Sequence, residues 1–289
     1  MSNLTGIRRR IKSARNISQI TKAMEMVAAS KMQKAQNAVL SSRPYAEKLD
    51  TVVRDLSGRV KLLDLPLLKQ PKAIKNVAVL VVSTNRGLCG SLNTNLFREI
   101  QSWQAGLPGS FNISYITVGR KAHGFVARSG HPLLAEFQDL PEHPSFQEIR
   151  PISKLLLDGF LSNQFDQVVA VYARFVNTIS QEPTIKELLP AKPAVKTYHD
   201  LFERDYVFEP SPTSVLNAVL PYRFELMLYE IILEARASEH SARMVAMKNA
   251  HDNASDLVHG LTIDYNRVRQ STVTNELLDV TTARAALGE

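Results

Sequence analysis

The chain has 289 residues, 44% of them hydrophobic and 22% charged, with a net charge of +7 and a single cysteine, Cys89. That length can bury the core of one or two domains, the ordinary apolar content excludes a disordered chain, and one cysteine excludes an internal disulfide framework and fits a reducing compartment. The longest apolar run, 77–82, is far short of the roughly twenty residues a membrane helix needs, and the basic start MSNLTGIRRRIKSARNISQ has no apolar segment behind it of the kind a secretory signal carries.

From residue 4 to about 56 no proline interrupts the pattern before Pro44, and the one early glycine is Gly6. Ile7, Ile11, Ala14, Ile20, Met24, Val27, Met32 and Ala35 recur at steps of three and four, which predicts one long helix with a single apolar stripe. Ala23, Ala28, Ala29 and Ala35 keep it narrow enough for a close neighbour, and SSRP at 41–44 marks a local bend. A helix of this length is expected in a coiled coil or stalk and not in a globular core. At 1.5 Å per residue it would extend roughly 80 Å.

The composition then changes. After a leucine- and proline-rich connector at 61–74, the β-branched run at 77–82 predicts a strand covered on both faces. Further strands are expected at 112–118, 167–172 and 176–187, with helices at 94–103, 119–129 and 152–163 between them. Strands alternating with helices imply a small, mostly parallel α/β domain. Pro190, Pro193, Pro210 and Pro212 punctuate the return to a second long helix from 221 to 286, in which Ala237, Ser241, Met244, Ala254, Val258, Leu261, Tyr265, Val268 and Thr272 form a seam of mostly small residues. It would extend roughly 100 Å and outreach its mate. The fold expected is therefore α/β with a long antiparallel coiled coil: a helix at 1–60, the connector at 61–74, a Rossmann-like domain at 75–205 and a second helix with a short leading segment at 206–289. Residues 1–60 hold twelve basic and four acidic residues, whereas 213–287 hold seven and nine. The positive surplus suits an acidic partner.

Chemistry is sparse. VLVVSTNRGLCGSLN sets Gly87 and Gly90 just after a strand, where a phosphate loop sits in dinucleotide enzymes, but neither a G-x-G-x-x-G nor a Walker signature is present. The same glycines serve a tight strand-to-helix turn. Cys89 has Arg86 nearby and no adjacent histidine. His240 and His251 lack the H-E-x-x-H frame or a cysteine ligand that a metal site would need. Arg269 and Gln270, far along the longer helix, are fork-like donors suited to gripping carboxylates or backbone of another chain. Three readings follow: a coiled-coil shaft held by a surrounding partner, a dinucleotide-binding enzyme centred on Gly87 and Gly90, and a basic coiled-coil scaffold for nucleic acid.

The N-terminal IRRRIKSARNISQITKAMEMVAASKMQKAQ, the central STNRGLCGSLN and the C-terminal ASEHSARMVAMKNAHDNASDL with LTIDYNRVRQSTVTNELLDV resemble, in order and over nearly the whole chain, the gamma subunit of bacterial F-type ATP synthases. The resemblance implies a non-catalytic central rotor stalk that couples proton flow to ATP synthesis or hydrolysis. It would be present in one copy, peripheral on the cytoplasmic face of the inner membrane, inside the hexamer of alpha and beta subunits and in contact with epsilon and the c ring. It also implies that Mg-ATP, Mg-ADP and phosphate bind in the hexamer, with no cofactor, metal or nucleic acid held by this chain. Carried over residue by residue, Arg269 and Gln270 would grip a beta-subunit loop, Arg243, Thr274 and Glu276 would join them in coupling, Met24 would lie beside a beta-subunit lever with the Arg86 and Cys89 turn also against that region, and Arg9 would lie near the top contact zone. The chain departs from the family pattern at Asn85, where Asp is frequent, at Ser91, where Gly is frequent, and at Thr281 and Thr282.

Overall fold

The computed structural model describes residues 4–57, 65–71, 73–107, 111–191, 209 and 211–286. Residues 61–64 and 72 of the expected 61–74 connector lie outside them; Pro66–Leu68 forms one short 3-10 turn. Two long helices, α1 (Leu4–Ser57) and α5 (Pro212–Ala286), bracket α2 (Leu92–Ala105), α3 (Arg120–Ser129) and α4 (Phe146–Leu161) and five strands, β1 (Asn76–Val82), β2 (Asn112–Val118), β3 (Leu133–Phe137), β4 (Gln167–Phe175) and β5 (Gln181–Leu189). The residues divide into two units: 1–28 with 243–289, and 29–242.

In the larger unit the sheet order is β3-β2-β1-β4-β5, parallel except for the β4–β5 hairpin. Strand alternation sorts the side chains into two cores. Val77, Val79 and Val81 of β1, with Tyr115, Val169 and Val171, pack on α2 and α3. Ala78, Leu80 and Val82, with Ile116, Val118, Val168 and Ala170, pack on α4 and on apolar residues of the long helices, from Val53 and Leu56 of α1 to Ile231, Ile232 and Ala235 of α5. Tyr115 is held in the first core, and its burial, opposed by a 2.6 Å hydrogen bond from Gln104, raises its phenol to about 12.

In the smaller unit the helices run antiparallel: Ser18 Oγ lies 3.0 Å from His251 Nδ1 and 3.1 Å from Ser255 Oγ. The α5 seam alternates steps of three and four through Met244, Met247, His251, Ala254, Val258, Leu261, Tyr265, Val268 and Thr272, all buried or half-buried. On this stretch of α1 the buried residues are Ile7, Ala14, Thr21 and Ala28, one strict seven-residue line. Ile20 and Val27, expected on the stripe, are instead 59% and 53% exposed. Their positions fall off the heptad line, and Thr21 takes the buried place by returning its hydroxyl to the Ile17 carbonyl at 2.9 Å.

Other boundaries move for local reasons. Helix α1 continues through Pro44, and the preceding Ser41 and Ser42 hydroxyls donate to the Ala38 and Val39 carbonyls, each at 2.9 Å. Helix α5 begins nine residues before the expected start at Pro221, because Ser211 Oγ accepts the Ser214 amide at 3.2 Å and Pro212 suits the first turn. Helix α4 begins at Phe146 because the Glu148 carboxylate accepts the Ser145 amide at 2.6 Å and its hydroxyl at 2.8 Å. The fifth strand begins at Gln181 because 176–180 forms the hairpin tip, and β3 had no counterpart in the sequence reading.

Two carboxyls of α5, Glu230 and Glu234, are half-buried, and burial raises both above their ordinary value. For Glu230, Asp50 and Glu234 reinforce the rise while Lys186 and Arg43 oppose it. A raised folded-state pKa means the fold holds the proton more tightly than the unfolded chain does, so the protonated form gains stability on folding. Its stabilisation is complete below the unfolded value of 4.5 and is lost as pH rises through the folded value. Glu230→Gln should therefore raise the urea midpoint at about pH 8 and lose that advantage at about pH 4. Equal midpoint shifts at both pH values would contradict this assignment.

Candidate functional site

The turn after β1 is held by its own polar side chains. Asn93 Nδ2 donates to Thr84 Oγ1 at 2.8 Å and to Cys89 Sγ at 3.3 Å, while Thr84 Oγ1 donates to the Arg86 carbonyl at 2.7 Å. Cys89 is 2% exposed, flanked by Leu88 and Gly90 in left-handed conformations, and Arg86 and Leu88 point to solvent. The buried thiol is thus a hydrogen-bonded packing element of the turn.

Asn85 uses both ends of its amide: Nδ2 donates to the Gln138 carbonyl at 3.0 Å, and Oδ1 accepts the Arg120 amide at 3.0 Å. Aspartate can keep only the second bond, and it would set a carboxylate oxygen against the Gln138 carbonyl. Asn85→Asp should cost about 1 to 2 kcal/mol of stability, and hydrogen exchange at the Arg120 amide and across 138–140 should quicken. Unchanged exchange at both places would show that the Gln138 bond contributes nothing.

In doubly wound folds the crevice at the carboxyl ends of the strands receives the ligand. Here Val82, Ser83 and Thr84, Ala173, and Leu92, Asn93 and Leu96 line that place, and Ala235, Arg236 and Glu239 of α5 fill it. The remaining cavity is about 10 Å³, room for one water and far below the several hundred Å³ of a dinucleotide site. Gly87 and Gly90 therefore serve the turn, and the geometry gives the dinucleotide reading no support.

The remaining predicted residues lie on the long helices of the smaller unit. Arg9 is exposed on α1 and Met24 is half-buried. The Ser18 to His251 register sets Met24 at the level of Val245 and sets Leu4, the first described residue, at the level of Tyr265. Arg243 is half-buried, and Arg269 and Gln270 are exposed. Thr274 and Glu276 lie in the stretch 273–284, in which every residue is exposed, including Val273, Leu277, Leu278 and Val280. The fold gathers Arg269, Gln270, Thr274 and Glu276 where the support of α1 ends. Arg86 and Cys89 belong to the larger unit.

His251 is engaged by Ser18, and His240 stands 3.7 Å from Glu142. Among the described residues no group of three His, Cys, Asp or Glu is placed to hold a metal ion. None of their helices is long and apolar enough to cross a membrane. Sequence reasoning missed Lys31, Glu142 and Arg236. Only the three-residue spacing of Arg236 and Glu239 signalled its pair, which closes at 3.0 Å with both side chains buried.

An antiparallel coiled coil with one bare helical end, together with a doubly wound sheet whose ligand crevice is filled by its own helix, defines an assembly subunit that works through its surfaces. The ATP synthase family profile matches residues 3–287. The chain is 44% identical to the ATP synthase gamma chain of Roseiflexus castenholzii over the full length of both, and 43% identical to that of Dehalococcoides mccartyi over 99% of this chain and all of the relative. A chain of the central stalk and c-ring structure of the Tetrahymena thermophila mitochondrial ATP synthase superposes with a TM-score of 0.61 at 26% identity, covering 80% of this chain and 99% of that one. A chain of the Euglena gracilis mitochondrial ATP synthase shares the fold, with a TM-score of 0.67 at 21% identity over 98% and 94%. The chain belongs to the ATP synthase gamma chain family.

Proposed function

We propose that this chain is the central rotating stalk of a proton-translocating ATP synthase, a non-catalytic subunit that carries torque between a membrane c ring and the catalytic beta subunits. The carrying observation is the bare end of α5, fully exposed over 273–284 beyond the reach of α1. Bare leucines and valines on a helix of 75 residues need a surrounding partner. Alpha and beta subunits supply that sleeve, and epsilon and the c ring meet the other end. One copy per complex, peripheral on the cytoplasmic face of the bacterial inner membrane, fits this arrangement.

The two helices have different lengths and faces, so the shaft lacks three-fold symmetry and can hold three beta sites in three states at once. Rotation changes the affinities for Mg-ADP, phosphate and Mg-ATP in the hexamer, a coupling between distinct sites. Arg269, Gln270, Arg243, Thr274 and Glu276 make the gripping contacts on α5, Arg9 and Met24 those on α1, and the Arg86 and Cys89 turn meets the lever region. Reconstitution with alpha and beta subunits and single-molecule observation test the reading: ATP-driven rotation of a probe on this chain is expected. A hexamer that hydrolyses ATP around a motionless chain overturns it.

A further inference from the structure

The packing that holds α5 changes in kind at Ala235. From Leu216 to Ala235 the helix is held in the apolar core against the sheet. Apolar burial is non-directional, so it fixes that a helix lies there better than it fixes the helix's angle about its own axis. Over the next turns Arg236, Ser238, Glu239, His240 and Ser241 are all buried and polar.

Two loops from the carboxyl edge of the sheet meet these residues. In the loop from β3 to α4, the Leu140 carbonyl accepts Arg236 Nη2 at 3.5 Å. Glu142 Oε1 there stands 2.6 Å from Lys31 Nζ of α1 and 3.7 Å from His240 Nε2 of α5. In the β4–β5 tip, the Thr178 carbonyl accepts Ser241 Oγ at 2.7 Å, and Gln181 Nε2 reaches the same hydroxyl at 3.4 Å. The tip is itself braced, with Asn177 Oδ1 accepting the Ile179 and Ser180 amides at 2.9 and 2.8 Å. One carboxylate thus touches both long helices, while the tip carries a separate bond to α5.

We infer that these two loops form a polar collar that sets the angle at which α5 and α1 sit on the sheet, with Glu142 and Ser241 as its positioning residues. Hydrogen bonds and ion pairs have preferred geometries and supply the angular reference that apolar packing lacks. The inference rests on the rotor reading: a shaft that presents particular faces at particular angles must not turn within its own mounting.

The test uses the assembled complex with nitroxide labels at Gln33 of α1 and Gln147 of α4, both exposed. Combining Glu142→Gln with Ser241→Ala should broaden the label-to-label distance distribution. Protons pumped per ATP hydrolysed should fall about twofold, on the scale of losing a partly exposed ion pair, while hydrolysis persists. Exchanging the charges, Lys31→Glu with Glu142→Lys, should restore the width and ratio that Glu142→Gln loses. An assembled double variant with the parent's width and ratio overturns the collar, as does an exchange that restores neither. If the double variant fails to assemble, Glu142→Gln alone, which removes the ion pair to α1, is read by the same two measurements. A parent complex that hydrolyses ATP without rotating sinks the rotor reading instead, and the label widths still judge the collar.

Discussion

Replacing Arg269 and Gln270 together with alanine is expected to leave the chain folded and to remove most of the coupling between ATP turnover and proton pumping. Both side chains are exposed, and neither makes a hydrogen bond or ion pair to another described residue. Nothing in the fold is therefore lost, and alanine is the strongest helix former. Their use lies outside the chain. A charge-assisted contact in a protected interface contributes about 1.5 to 3 kcal/mol, so losing the Arg269 contact alone should weaken the grip by roughly tenfold or more. The check is parallel measurement of hydrolysis, pumping and subunit stoichiometry. A fully assembled double variant with the parent's proton-to-ATP ratio would rule these residues out as the grip.

The largest effect on stability is expected from Gly119→Ala, at the junction of β2 and α3. Gly119 has φ 93 and ψ 146, a region that side chains other than glycine's avoid. A Cβ there would lie 2.4 Å from the Ser83 carbonyl oxygen. That backbone cannot yield easily, because the Ser83 amide donates to the Val118 carbonyl at 2.9 Å and Ser83 Oγ accepts the Ala122 amide at 2.7 Å. Backbone strain and displacement of Ser83 together should cost about 3 to 5 kcal/mol and loosen the turn that holds Cys89. Gly124→Ala in α3 is the internal control, since its Cβ would meet only the far end of Arg128 at 3.6 Å. It should be neutral or stabilise by about 0.5 to 1 kcal/mol. Equal urea midpoints for the two variants would refute the argument.

The long helices were legible because helical periodicity accumulates over many turns, and the α5 seam emerged nearly residue for residue because Ala254, Val258, Leu261, Tyr265 and Val268 form its main apolar line. Helix α1 was harder. Ile17, Ile20 and Val27 form a second apolar face that is exposed in the chain alone, and hydrophobicity cannot say which of two faces meets the internal partner. Strand β3 is a five-residue edge strand of half-exposed side chains, too short and too weakly apolar to announce itself. The parallel sheet was readable from the β-branched run of β1, whereas the filling of its crevice by Arg236 and Glu239 depends on distant packing that no local pattern encodes. The Lys31 to Glu142 contact joins residues 111 positions apart for the same reason.

The strict seven-residue line of Ile7, Ala14, Thr21 and Ala28 has a mechanical meaning. An ideal helix drifts by about 20° per heptad against such a line, and two helices that keep it in contact must wrap with a left-handed lay. A laid rope is not indifferent to the sense in which it is turned. Twist in the direction of the lay draws the strands together, and the opposite twist parts them. With alanine and threonine along much of the seam, little apolar area resists the parting. Driven one way the pair should behave as a stiff axle, and driven the other as a softer spring, so synthesis and hydrolysis would load the same two helices unequally.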